Sequence, residues 1–254
     1  TSSMIVIDSQ PIDYSSKTES QYTLASQSSH KHIVKTKYES DSLKEFDSQF
    51  RKWVKEACAD WHYDFPQKKW FDNVNVRLPK GLRSLLGLGL QKGLIISQGR
   101  FFNLKNLPLN KGPYNWFSQN LGQNTPNLNG EYFVHVAEYI RLCSITSGSD
   151  LSVKFEDDTM DIAVYSGQDL FVYYEIKQYI SQIEELITVI RNYQSNVNLM
   201  APDRGNDPLR KAKCIIRNKP SFFVGVAIGG RYEYRVDYHG DTSFVLYRDA
   251  VPIL

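Results

Sequence analysis

Residues 150–186 read DLSVKFEDDTMDIAVYSGQDLFVYYEIKQYISQIEEL. Three short apolar-rich runs, 151–155, 160–165 and 170–177, are separated by Glu156-Asp157-Asp158 and by Ser166-Gly167-Gln168-Asp169, both turn-like. After the third run, Ile180, Ile183, Leu186, Ile187 and Ile190 recur at helical spacing through 178–194. The stretch predicts a three-stranded meander running into a helix. In the third strand Glu175 and Lys177 are two residues apart, so alternation sets both on one face of the sheet, with Ile176 on the other. Asp161 opens the neighbouring strand, and a tight turn brings the two strands together. Two carboxylates and one ammonium are therefore expected to converge at the sheet edge.

That trio carries chemistry. Carboxylate oxygens are hard ligands suited to Mg²⁺, with Mn²⁺ as a substitute, and such an ion keeps several waters and takes remaining ligands from a phosphate. A cation held there lowers the pKa of a bound water and neutralises charge on phosphoryl oxygens. Lys177 is placed to position the attacking water or to stabilise the transition state.

The segments on either side extend the pattern. Upstream, Gly130 to Ile145 carries Phe133, Val136, Ala137, Ile140 and Cys143, a helix with one buried face that ends at Ser147-Gly148-Ser149. Downstream, 222–228 is an apolar strand, Gly229-Gly230 a tight turn, and 232–238 and 243–247 complete an antiparallel extension. From Gly130 the order is helix, three strands, helix, strand.

This order, with Asp161 on the second strand and Glu175-Ile176-Lys177 on the third, resembles the PD-(D/E)XK nuclease superfamily. The resemblance covers about residues 130–228; Met160, not Pro, precedes Asp161. It implies an α/β fold with a restriction-endonuclease-like core and a mixed sheet. It further implies a Mg²⁺-dependent endonuclease with Asp161 and Glu175 as metal ligands and Asp161, Glu175 and Lys177 as catalytic residues. Hydrolysis would leave 5′-phosphate and 3′-hydroxyl ends. DNA is the expected substrate, since most relatives cut DNA, and restriction, phage defence or a mobile element the expected setting. Many members add an acid from the first helix to the catalytic and metal-binding set. Glu131 and Glu138 both qualify, and Glu138 is preferred because it lies nearer the strands.

The rest of the chain is less explicit. Residues 1–40 are rich in Ser, Thr, Gln and Lys and read as a polar arm or one edge strand. Residues 41–128 form a mostly helical region suited to recognition or to a partner, and 129–254 the nuclease-like domain. From Leu43 to Trp61 an aromatic stripe predicts an amphipathic helix capped by Asp41 or Ser42. Residues 78–86 start another helix, and a hairpin turns at Ser97-Gln98-Gly99. Helix then hairpin is a winged-helix succession, although no partner helix is legible ahead of it. The Asn-, Pro- and Gly-rich stretch 105–129 reads as a long surface connection.

Charge and cysteine usage bound the alternatives. The 254 residues carry 30 basic against 28 acidic groups, so net charge alone does not point to nucleic acid. A local cluster does: Arg204, Arg210, Lys211, Lys213, Arg217 and Lys219 lie between the second core helix and the next strand, expected as a basic connection that meets phosphates. Three scattered cysteines without a CxxC spacing argue against a zinc site or disulfide framework, so a reducing cytoplasm is the expected setting. The start lacks the features of a secretory signal, and no apolar run is long enough to span a bilayer. No GxxxxGK[ST] loop is present. The rival expectation is a nuclease-like subunit that binds nucleic acid or a protein partner, or pairs with a second copy, without cutting independently.

Overall fold

The computed structural model describes residues 29–248 and Leu254, in two compact units divided between Ile140 and Arg141. That division falls inside a helix rather than ahead of it at residue 129. The arm or edge strand expected over 1–40 lies, up to residue 28, outside the described residues. From Ser29 the chain is already helical: α1 (Ser29–Trp61) runs for 33 residues. Asp41 and Ser42, expected as caps, lie within it. The Ser42 hydroxyl is not engaged at a helix end; it is buried and donates to Gln91 Oε1 at 2.7 Å.

Next come α2 (Lys68–Arg77) and α3 (Lys80–Gln91). Only Phe71 and Val74 of α2 are buried, too few apolar positions for its stripe to be legible. α3 continues through Gly87 and Gly89. At Gly87 a Cβ would collide with the backbone carbonyl of Ser42, so the close approach of α1 and α3 requires glycine there.

Three strands, β1 (Ile95–Gln98), β2 (Phe101–Leu104) and β3 (Tyr114–Asn115), form a small antiparallel sheet, and β4 (Phe117–Ser118) pairs with β5 (Asn127–Leu128). The stretch 105–129 is thus more than a surface connection. Trp116 and Phe117 are fully buried, and the Trp116 ring stacks on Phe102 and Phe133 at centroid distances of 3.8 and 4.5 Å. Burial of two large rings outweighs the local turn chemistry around them. Helix α4 (Gly130–Ile145) follows, with the bounds expected, and crosses the division between units.

The second unit is built on β6 (Leu151–Asp157), β7 (Met160–Ser166), β8 (Asp169–Tyr179), α5 (Ile180–Arg191), α6 (Asp207–Asn218), β9 (Phe222–Ile228), β10 (Gly230–Tyr238) and β11 (Phe244–Arg248). The six strands make one sheet in the order β11-β10-β9-β8-β7-β6. Only the β8–β9 pair is parallel; the others are antiparallel. The chain is therefore α/β, with a mixed six-stranded sheet and a mostly helical N-terminal region. Among the described residues no helix is long and apolar enough to cross a membrane.

Strand alternation dictates what each face carries. Val172, Tyr174 and Ile176 of β8 are fully buried on one face, while Tyr173, Glu175 and Lys177 share the other. The second face belongs to a core in which Tyr173, Phe223 and Ala227 meet Ile183, Leu186, Ile187 and Ile190 of α5 and Leu209, Ala212, Ile215 and Ile216 of α6. α6 is capped by Asn206, whose side chain accepts from the Leu209 N–H at 3.1 Å, with Pro208 in the first turn.

Gly225 of β9 pairs in register with Glu175, and α5 lies so close that a Cβ at this position would stand 2.5 Å from Ile183 Cγ2. Gly225→Ala must push the helix off the sheet. Overpacking of this kind costs about 1–3 kcal/mol, so the variant is expected to unfold at a clearly lower urea midpoint. An unchanged midpoint would show that α5 yields freely.

Candidate active site

The strand pair β7–β8 places two carboxylates together. Ile162 pairs with Tyr174 and Ala163 with Tyr173, and carrying this register on by one residue sets Asp161 opposite Glu175. Asp161 Oδ2 accepts the backbone N–H of Ile176 at 2.7 Å, which ties it to β8 beside Glu175. Both strands are interior to the sheet, so the trio sits where β8 runs into α5 rather than on an outer strand.

Glu175 is almost wholly out of water, at 1% exposure. Its two oxygens have different surroundings. Oε2 is 2.8 Å from the ammonium of Lys211 and accepts from the Tyr173 hydroxyl at 3.3 Å. Oε1 is buried without a hydrogen bond and lies 3.4 Å from Lys177 Nζ, within ion-pair reach but outside hydrogen-bond geometry. The Thr159 carbonyl completes the inner side, accepting from Lys211 Nζ at 3.4 Å and competing, at 3.5 Å, with Glu175 Oε2 for the single Tyr173 hydroxyl proton. The β6–β7 turn, β8 and α6 thus meet at one buried polar cluster. Lys177 stands at its outer limit with a side chain 23% exposed.

Burial pushes the Glu175 carboxyl up to about 7, and the nearby Asp161 charge adds to the rise; Lys211 and Lys177 oppose it. Burial likewise holds the Tyr173 hydroxyl well above its ordinary value, with the Glu175 charge as the next contribution. Tyr173 therefore remains a donor across the physiological range.

Among the described residues no three or more His, Cys, Asp or Glu side chains gather into a metal-holding group. Asp161 and Glu175 offer two carboxylates, one of them with a buried oxygen that lacks a hydrogen bond. That donor set fits a Mg²⁺-type ion, which uses one or two carboxylates and fills its other positions with water and phosphate. Glu138 is fully buried and Glu131 exposed, both on the part of α4 that belongs to the first unit. The pair described above is the second unit's own.

The basic cluster needs correction. What the sequence suggested as a connection between Asp203 and Lys219 is largely α6, and Lys211 and Lys213 are buried. Lys211 is committed to Glu175. Lys213 donates to the Ala201 carbonyl and pairs with Asp203 Oδ2 at 3.3 Å. Neither is presented to solvent as a phosphate contact would be. Arg204, Arg210, Arg217 and Lys219 are exposed, with Arg210 paired to Asp207 at 2.5 Å. The signal for this helix was present in Leu209, Ala212, Ile215 and Ile216 after Asn206 and Pro208, a capped apolar stripe hidden by its high charge. Tyr173 was also missed, although it shares the face of Glu175 two residues earlier. Compared with protein-family models, curated protein sequences and solved structures, the chain finds no match.

The raised Glu175 carboxyl makes a statement about stability. A group whose folded pKa lies above its unfolded value binds protons more tightly when folded, so its contribution is complete below the unfolded value and is lost as pH rises through the folded one. In metal-free buffer with EDTA, the contribution of Glu175 should therefore be present near pH 4.5 and vanish as pH passes about 7. The difference in unfolding free energy between wild type and Glu175→Gln, measured by urea titration, should move in favour of the variant across that window. A difference independent of pH would refute the assignment.

Proposed function

We propose that this chain is a metal-dependent nuclease of the PD-(D/E)XK type, with a restriction-endonuclease-like core, that hydrolyses phosphodiester bonds in DNA. The observation that carries this reading is the tie of Asp161 to the Ile176 N–H of β8, next to Glu175, with Lys177 at 3.4 Å from a buried Glu175 oxygen that has no hydrogen bond. Asp161 and Glu175 would hold the ion. When bound, a divalent cation supplies Lewis acidity toward the phosphoryl oxygens and lowers the pKa of a coordinated water.

The chain's own residues do the rest. Asp161 is fixed by the Ile176 N–H, so its carboxylate is oriented before any ligand arrives. Lys177 is long, charged and partly exposed, and orients a water toward the phosphorus while offsetting charge that builds on the phosphoryl group. The exposed Arg204, Arg210, Arg217 and Lys219 suit contact with the phosphate backbone. Restriction or phage defence is the biological setting this reading favours.

A second reading has its own observation. Glu175 lies between two ammonium groups, at 2.8 and 3.4 Å, as a carboxylate in a purely structural ion network would. In that case the domain binds nucleic acid or a protein partner without cutting. Incubation of the pure chain with plasmid DNA, linear DNA and RNA, in Mg²⁺, Mn²⁺ or EDTA, separates the two. Cleavage of DNA that EDTA stops is expected. Asp161→Ala and Lys177→Ala should each lower it by about a hundredfold or more while circular dichroism shows an intact fold. A folded Asp161→Ala protein that cuts at the wild-type rate removes the proposed site.

Phosphate contact has a separate signature, because each neutralised phosphate releases condensed counterions. Changing Arg204, Arg217 and Lys219 together to Ala should flatten the slope of log affinity against log salt by about one unit per lost contact. Binding measured in Ca²⁺ keeps this apart from chemistry. A wild-type slope would exclude these side chains as phosphate contacts.

A further inference from the structure

We infer that Lys211 is a positioning residue for a cation site: from α6 it grips Oε2 of Glu175 and leaves Oε1 as the oxygen presented to a divalent cation. The inference rests on the cation-binding reading given above and adds a residue from outside the strand pair.

The two lysines beside Glu175 are not equivalent. Lys211 has a side chain 5% exposed and is held from several directions, by Glu175 Oε2 at 2.8 Å, the Thr159 carbonyl at 3.4 Å and Asp207 Oδ2 at 3.8 Å. It sits one turn from Ile215 on the inward stripe of α6, so its backbone is fixed by the same packing that builds the core. Lys177 is more exposed, and its 3.4 Å approach to Oε1 lacks hydrogen-bond geometry. A cation that enters beside Lys177, the more exposed of the two lysines, can displace its contact with Oε1. Displacing Lys211 would leave an ammonium buried without its carboxylate, which is far more costly.

A glutamate side chain has several rotatable bonds, and fixing it upon ion binding costs conformational entropy. Lys211 removes much of that cost beforehand, with Tyr173 as a second, longer hold on the same oxygen. The partner of a metal ligand acts in this way: it orients the ligand without touching the ion, and its loss weakens metal binding or activity by about ten- to a hundredfold.

The test uses Mn²⁺ alone as probe, titrated calorimetrically into the full chain without DNA, followed by cleavage kinetics. Wild type should bind Mn²⁺, and Asp161→Ala should lose that binding. Lys211→Met should bind it about ten- to a hundredfold more weakly, with kcat reduced and KM for DNA close to wild type, and Lys211→Arg should recover part of the loss. Lys213→Met provides the control. It removes an equally buried lysine of the same helix that is paired with Asp203 instead of Glu175, so it should lower stability while leaving Mn²⁺ affinity near wild type. Should Lys211→Met not fold, Lys211→Gln, too short to reach Oε2 as Lys211 does, is read in the same way. Undiminished Mn²⁺ affinity in a folded Lys211 variant, or an equal loss in Lys213→Met, overturns the role of Lys211 and leaves the cation site standing. No Mn²⁺ binding by wild type overturns both.

Discussion

A carboxylate taken out of water in the middle of a sheet must meet a cation or take up a proton, and in this chain cations reach Glu175 from two directions. Lys211 approaches from α6 and Lys177 from the same strand. An unpaired buried charge would cost several kcal/mol, so the positions of α6, the β6–β7 turn and β8 are coupled through one ion pair. Tyr173 and the Thr159 carbonyl fill the remaining polar positions around it. The sheet supplies the place, and the crossover segment supplies the charge.

That coupling explains why the second unit was legible in part. Period-two alternation in β8 is carried by residues adjacent in sequence, so the common face of Glu175 and Lys177 follows from local geometry. The bounds of α4 and β9 were equally local, set by the turns beside them. The role of Lys211 was not legible. A lysine within a charged segment normally faces water, and only the packing of α6 on α5 turns this one inward. The same kind of override buried Trp116 and Phe117 in a stretch whose local residues favour turns. α2 left almost no trace because it buries only two residues. Where a side chain's role depends on a partner far along the chain, periodicity cannot reveal it.

Among the basic residues, burial separates two tasks that composition merges. Lys211 and Lys213 serve the interior, one holding Glu175 and the other tying Ala201 and Asp203 to the helix. Arg204, Arg210, Arg217 and Lys219 remain at the surface. This division follows the chemistry of the two side chains only loosely, since guanidinium is the commoner choice for a buried pair. In both pairs the ammonium meets a carboxylate oxygen and a backbone carbonyl together.

The parallel pairing of β8 and β9 has a consequence in time. These two strands cannot be joined by a hairpin, so everything between Tyr179 and Phe222, including both α5 and α6, must be synthesised before they pair. Glu175 therefore emerges from the ribosome well before Lys211, the nearer of its two lysines, and before the parallel strand that covers it. A growing chain adds about 5–20 residues per second, which leaves an interval of seconds in which Glu175 lacks both Lys211 and the cover of β9. Closing that long loop comes late because its entropy must be lost before its contacts form. Burial of Glu175 and its pairing with Lys211 are thus tied to completion of the crossover, and a nascent chain halted inside it carries both acidic residues without that enclosure.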